Sequence, residues 1–259
     1  MSIIKSLSVM SFFTFLSRIL GYIRDLIFAF TLGATSNADN FLLAFRLPSL
    51  FRRLFAEGAI NNVFIPIYLD IKKKYSRRRA QLFANHVFSY LLIILIITTI
   101  ICEILMSDIV SFLAPGFSQE QIYKTSYLAS IMFPYLVFIS ASSFFGALLN
   151  ANNRYALWAF SPIILNLFMI SAMALSYYYS LITGLILSWS VIASGLLQIF
   201  IIFFWARIKK IKLSLVKPKL TKNIKSLFKL LLPNILAGGI IQINQFIGVM
   251  FASSITGAI

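Results

Sequence analysis

Residues 91–101, Leu-Leu-Ile-Ile-Leu-Ile-Ile-Thr-Thr-Ile-Ile, form a run without a charged side chain. The run lacks the strict alternation of lipid-facing and lumen-facing positions that marks a membrane β-strand. It lies inside a segment, 84–107, that is long enough to cross a hydrocarbon core of about 30 Å as a helix. Since lipid offers no hydrogen-bond partners, each backbone polar group must be satisfied within the segment, and the run predicts a transmembrane helix.

Similar apolar stretches recur along the whole chain. Apolar residues make up 60% of the 259 residues and charged residues only 12%, whereas soluble domains have about a quarter charged residues. The sequence therefore predicts an all-α, polytopic membrane helix bundle with about seven transmembrane helices. The predicted spans are 7–32, 38–69, 84–107, 121–149, 156–178, 181–206 and 229–254.

The positive charge is concentrated in alternate connections. The formal net charge is +16, and the connection at 207–229 carries nine Lys or Arg residues and no acid. The connection at 72–79 is also strongly basic, whereas 33–39 has no Lys or Arg. Basic connections stay on the cytoplasmic side of a membrane, so we expect a cytoplasmic amino terminus. This placement favours a membrane role and argues against nucleic-acid binding.

Residues for covalent chemistry or metal binding are scarce. Cys102 is the one cysteine and His86 the one histidine, so the sequence predicts neither an intrachain disulfide nor a His/Cys metal site. No hydrolase, kinase or phosphate-loop motif is present. We expect a protein that is not an enzyme and that has no cofactor.

The first two predicted helices hold an unusual number of charged residues. A charge near the bilayer centre costs at least about 2.5–3.5 kcal/mol, so these side chains should face water, each other or an anionic ligand. The residues concerned are Arg18, Arg24 and Asp25 in the first helix, and Asp39, Arg46, Arg52, Arg53 and Glu57 in the second.

The arginines outnumber the nearby acids, which indicates an anionic substrate. The planar guanidinium group suits phosphate or pyrophosphate oxygens. A structural interpretation stays open for Arg46 and Arg53, which either hold helices together or reach the membrane surface. Glu57 is expected to act as an ion-pair partner rather than as a switch.

The basic sixth connection divides the chain into three predicted units. These are a six-helix transmembrane lobe (1–206), a basic cytoplasmic linker (207–228) and the first helix of a second lobe (229–259). Lys222, Lys225 and Lys229 recur at helical spacing, which fits an amphipathic helix on the inner headgroup surface. A solvated basic linker fits equally well.

Four stretches carry a resemblance to a known family. Residues 16–25 (LSRILGYIRD), 39–59 (DNFLLAFRLPSLFRRLFAEGA), 114–117 (APGF) and 146–150 (GALLN) resemble the MurJ (MviN) family of lipid II flippases. The resemblance implies a bacterial inner-membrane transporter of the exporter superfamily that also holds multidrug and polysaccharide exporters. Such a protein moves lipid II, the undecaprenyl-pyrophosphate-linked peptidoglycan precursor, by alternating access during cell-wall biogenesis. The resemblance also implies that membrane potential or a cation gradient drives transport.

The resemblance assigns roles to individual residues. Arg18, Arg24 and Arg52 match arginines of a cationic central cavity, and Asp25 matches an acid that partners them. Asp39 and Glu57 match polar cavity positions, and Ser49 stands where many relatives have asparagine. The predicted cavity residues are therefore Arg18, Arg24, Arg52, Arg46 and Arg53, with Asp25, Asp39, Ser49 and Glu57 as polar or ion-pairing neighbours.

The resemblance covers the first half of the family's architecture. Full members have two six-helix lobes and further helices, whereas this chain resembles the first lobe and the opening helix of the second. We expect a partial chain, or one that works with a second chain, whose partners are lipid II and membrane lipids. Two alternatives stay open, namely an exporter of another polyprenyl-linked glycan and a non-transporting membrane remnant.

Overall fold

The computed structural model describes residues 3–52, 59–152 and 160–253, and this part of the chain is helical without strands. The prediction of an all-α fold is confirmed. Arg53 and Glu57 lie outside the described residues. The described helices are α1 Ile3–Leu32, α2 Ser36–Arg52, α3 Ala59–Lys74, α4 Arg77–Ile104, α5 Met106–Leu113, α6 Gln119–Met132, α7 Tyr135–Ala151, α8 Ser161–Tyr179, α9 Thr183–Ile208 and α10 Lys222–Ser253.

Four stretches of the described chain are long and apolar enough to cross a membrane. They are Arg77–Ile104, Gln119–Ala151, Ser161–Tyr179 and Thr183–Ile208. Together with the exposed isoleucines on one side of α4, such as Ile96, Ile97 and Ile100, they make the chain a multi-pass membrane protein. The first, second and seventh predicted spans are not among the four, and they hold most of the intramembrane charges and amides. Their membrane crossing stays a prediction.

The fourth predicted span is divided in two near its middle. Helix α6 ends at Met132 and α7 begins at Tyr135, because Pro134 has no N–H group to continue the helical hydrogen bonding. The chain turns through short-range bonds from Leu136 N to Phe133 O (2.9 Å) and from Val137 N to Pro134 O (3.0 Å). The division places Tyr135 at the start of a new helix, where it faces α9.

Aromatic side chains fill the space between α3, α4 and α7. Phe64 lies with its ring centroid 4.7 Å from that of Phe144 and 5.8 Å from that of Phe83. These separations fall within the range that aromatic pairs prefer. We call this group the aromatic core, and its members, all buried, are Phe64, Tyr68, Phe83, Phe88, Phe144 and Phe145.

Residues 209–221, which we call the strap, have no regular secondary structure and run along α4. Gln81 donates to the carbonyl of Lys212 (2.7 Å), Asn85 accepts from the amide of Ser214 (3.3 Å), and Ser89 accepts from the amide of Val216 (3.0 Å). The three α4 side chains recur every four residues and therefore share one helix face. The backbone of the strap is thus hydrogen-bonded to α4 at every second residue, namely Lys212, Ser214 and Val216.

Helix α10 begins directly after the strap. Ile224 and Leu227 in its first turns are buried, and the Phe228 ring makes an edge-to-face contact with Tyr90 of α4. The lysine-bearing stretch that we expected in the linker is therefore helical from Lys222 onward and continuous with the last predicted span. The boundaries of the three predicted units stay predictions.

Candidate functional site

A cavity of about 490 Å³ opens between α1, α2, α7, α8 and α9. We call it the arginine cavity. It is lined by polar side chains from four different helices, together with apolar residues of α7 and α8. The polar residues of this lining include Ser17, Arg18, Arg24, Arg52, Asn166 and Gln198.

Arg24 is held in the cavity wall by partners on two sides. Its Nε and Nη2 donate to Asp25 Oδ1 at 2.9 and 2.6 Å, and its Nη1 donates to Asn166 Oδ1 at 3.0 Å. Asn166 in turn donates through Nδ2 to the backbone carbonyl of Ser17 at 3.1 Å. Ser17 and Arg24 are seven residues, or two helical turns, apart. One asparagine of α8 therefore bridges two turns of α1 and fixes the guanidinium group.

Arg18 and Arg52 complete the cationic lining. Arg18 lies midway along α1 and is exposed, whereas Arg52 is the last residue of α2 and is half-buried. Three arginines thus line one cavity, and Asp25 is ion-paired with Arg24. An arginine-rich lining suits an anionic ligand with several oxygen acceptors.

The other predicted site residues lie elsewhere. Arg46 is exposed on α2 and is not part of the arginine cavity, and Asp39 is partly buried at the start of the same helix. Ser49 donates to the carbonyl of Phe45 at 3.2 Å, within its own helix. The structure brings together Arg18, Arg24 and Arg52, with Asp25 beside them. Arg53 and Glu57 lie outside the residues that the structure describes.

Two cavity residues, Asn166 and Gln198, were missed by the sequence analysis. Each is a single amide inside an otherwise apolar helix, in the stretches 163–168 (IILNLF) and 195–200 (GLLQIF). Polar side chains inside membrane helices usually face other protein or a water-filled space. The sequence therefore carries a signal for both residues.

The described residues contain no group of side chains that could bind a metal ion. Among residues 3–52, 59–152 and 160–253, no three His, Cys, Asp or Glu side chains are grouped as metal ligands would be. The cationic lining of the arginine cavity would also repel a metal ion.

The helices and the cavity together define a class. The chain is a multi-pass helical membrane protein with an arginine-lined cavity between five of its helices. Its relatives sharpen this description. A family model described as lipid II flippase MurJ matches residues 28–259.

Individual relatives agree with the family model. A probable lipid II flippase MurJ of Rhizobium meliloti is 38% identical over the whole chain and half of its own length. Another from Buchnera aphidicola (subspecies Baizongia pistaciae) is 42% identical over 77% of the chain and 39% of its own length. A solved structure of lipid II flippase MurJ in an inward closed conformation has a TM-score of 0.77 and 27% identity, over 95% of this chain and 50% of that one.

The chain belongs to the MurJ family of lipid II flippases. Members of this family are named as transporters rather than as enzymes. The chain spans about half the length of the curated relatives it matches.

Proposed function

We propose that the protein is a lipid II flippase, wholly or as one part of a larger transporter, and that the arginine cavity binds the pyrophosphate of the lipid. The observation that carries the proposal is the convergence of Arg18, Arg24 and Arg52 on one cavity in a member of this family. Lipid II is the substrate that the names of its relatives give. No bond of the substrate is made or broken.

The energetic task is to carry a charged headgroup across hydrocarbon. Moving an isolated ion from water into an apolar medium costs tens of kcal/mol in the Born limit. Guanidinium groups reduce this cost because they replace water around the phosphate oxygens with fixed donors. The Asn166 bridge adds to the effect, since it holds Arg24 in place before the substrate arrives.

The orientation and energy source complete the proposal. The alternating basic connections support a bacterial inner-membrane protein with a cytoplasmic amino terminus. Alternating access, driven by membrane potential or a cation gradient, would then move the cavity from one side to the other. The helices that the longer relatives have in addition come from a continuation of the chain or from a second chain.

The test is a transport assay on arginine variants. The reading frame, with the DNA downstream of it, is expressed in cells depleted of their own flippase, and lipid II translocation and growth are measured. We expect Arg18→Ala and Arg24→Ala to abolish translocation while protein level and membrane insertion stay unchanged. Arg207→Ala is the matched control, because Arg207 lies over the Phe203 ring at the end of α9, outside the cavity.

Three results would contradict the proposal. Normal translocation by both cavity variants would show that these arginines are not needed for substrate binding. Equal loss in Arg207→Ala would indicate a general effect of arginine removal. Transport of a different polyprenyl-linked glycan by the wild-type protein, with lipid II left in place, would reassign the substrate.

A further inference from the structure

Gln198 is a buried side chain whose hydrogen-bonding capacity is unused. It is 2% exposed, it forms part of the wall of the arginine cavity, and among the described residues neither Nε2 nor Oε1 has a hydrogen-bond partner. Leaving a buried polar group unpaired is costly and uncommon in folded proteins. Six other described residues also have an unpaired buried side-chain atom, but Gln198 is the one among them that lines the arginine cavity, where a ligand could supply the partner.

The other buried polar side chains of α9 do not share this condition. Ser188, Ser190 and Ser194 each donate to a backbone carbonyl of their own helix, at 2.8, 2.7 and 2.7 Å. Short hydroxyl side chains can do this inside a helix. Gln198 is thus an exception within one helix, and it is the α9 residue that lines the cavity.

The chemistry of the amide restricts what its partner can be. A glutamine side chain offers donors at Nε2 and an acceptor at Oε1. A pyrophosphate oxygen accepts only, and a guanidinium group donates only, so neither satisfies both atoms. A hydroxyl group or an N-acyl amide both donates and accepts. A single neutral polar group, of the kind that an amino sugar carries, can therefore satisfy both atoms at once.

We propose that Gln198 binds a hydroxyl or N-acyl group of the sugar attached to the pyrophosphate, and so favours glycosylated over unglycosylated lipid pyrophosphates. This inference rests on the proposed function, because it assumes that the pyrophosphate lies against the arginines. A cavity of about 490 Å³ is within the usual range for small-molecule sites.

Access to the amide requires a small movement. Its nitrogen and oxygen atoms are closed off from solvent in this conformation, although the side chain lines the cavity. No hydrogen bond holds the amide in its present position, so rotation about the side-chain torsions sacrifices no existing hydrogen bond. Binding a sugar group then satisfies both atoms and removes the cost of leaving them unpaired.

The test compares two lipids on the intact protein reconstituted in nanodiscs. The probes are a long-chain prenyl pyrophosphate without sugar and lipid II. The variant is Gln198→Met, which keeps an unbranched side chain of similar length but cannot make these bonds. We expect its affinity for lipid II to fall about 10-fold and its affinity for the prenyl pyrophosphate to change by less than about 2-fold. Ser194→Ala is the control and should affect neither affinity.

Thermal unfolding separates this role from a structural one. Because methionine removes an unpaired amide, Gln198→Met should unfold at the same temperature as the wild type or a higher one. Equal loss of affinity for both lipids, no loss for either, or a lower unfolding temperature would overturn the role of Gln198. If the wild-type protein binds neither lipid, the proposed function itself is wrong. If an Arg24→Ala variant binds both lipids normally, the arginine cavity is not the pyrophosphate site.

Discussion

The aromatic core and the arginine cavity both include residues of α7 but are built in contrasting ways. In the aromatic core, the rings of Phe64, Phe83 and Phe144 pack at centroid distances of 4.7 to 5.8 Å and are shielded from solvent. In the arginine cavity, helices leave about 490 Å³ unfilled, and at least one buried amide, Gln198, is unpaired. The aromatic core is closely packed, whereas the arginine cavity has polar groups that a ligand could bind.

The contrast shows where function imposes a cost on the fold. Between membrane helices, stability comes largely from close packing, because lipid is as apolar as the protein interior. The aromatic core supplies such packing. Beside the cavity, the Arg24–Asn166–Ser17 hydrogen bonds add to the direct packing of α1 against α8.

The largest expected effect is on the aromatic core. Phe64→Ala removes a fully buried ring that contacts Tyr68, Phe83 and Phe144, and comparable truncations cost about 3–5 kcal/mol. We expect a marked fall in the free energy of unfolding, measured by steric trapping or by thermal unfolding in detergent. Phe30→Ala is the control, because Phe30 is 81% exposed on α1.

Two outcomes would break the distinction between the two regions. Equal destabilisation by Phe64→Ala and Phe30→Ala would mean that the aromatic core is not a special source of stability. A loss of lipid binding in folded Phe64→Ala protein would mean that the core also shapes the cavity directly.

An intermediate effect is expected where α9 packs against α7 beside the arginine cavity. A Cβ atom added at Gly195 of α9 would lie 2.6 Å from Tyr135 Cδ2 and 3.3 Å from Phe138 Cβ. The buried Tyr135 ring and the α7 backbone would have to shift, so Gly195→Ala should destabilise the protein by about 1–3 kcal/mol. Thermal unfolding measures the effect.

A matched glycine on the same helix gives the control. The Cβ of Gly184→Ala would meet only the end of the Leu128 side chain, at 3.4 Å, and should change stability much less. Should the two variants unfold alike, close packing of α9 against α7 is not what positions Tyr135 beside the cavity.

The smallest expected effect is on the positioning of Arg24. Asn166→Leu removes the acceptor for Arg24 Nη1 and the donor to Ser17 O. The guanidinium group then keeps only Asp25, so affinity for a prenyl pyrophosphate should fall about 3- to 10-fold. Binding in nanodiscs measures this change, and the unfolding temperature should alter little.

The same substitution at another amide serves as the comparison. Asn234 donates to the carbonyl of Leu230 within its own helix, so Asn234→Leu should leave binding unchanged. Full affinity in Asn166→Leu would show that Asp25 alone positions Arg24. A fall of unfolding temperature as large as that of Phe64→Ala would assign Asn166 to stability instead.

Much of the fold could be predicted from local sequence. The uncharged run of α4 and the similar stretches in α8 and α9 predicted spanning helices, and the structure has helices at each of them. The division of the fourth predicted span at Pro134 was not predicted, because whether a proline bends or ends a helix depends on the packing around it. The path of the strap was not predictable for a similar reason, because its partners Gln81, Asn85 and Ser89 are far away in sequence.

The candidate site was predictable only in part. The intramembrane charges of Arg18, Arg24 and Arg52 stood out because lipid does not tolerate them, and the structure places them around one cavity. Helical spacing alone did not reveal that Arg46 lies outside that cavity. Asn166 and Gln198 are neutral and come from distant helices, so their contribution depends on how α8 and α9 pack against α1. The role of each residue in binding stays a prediction.

The strap has a mechanical consequence. Three hydrogen bonds and the buried Ile224 and Leu227 attach residues 212–227 to the lobe. A movement of α4 is therefore expected to carry the strap and the first turns of α10 with it. The basic connection is thus attached to the helix bundle along its length and is not a free tether between two units.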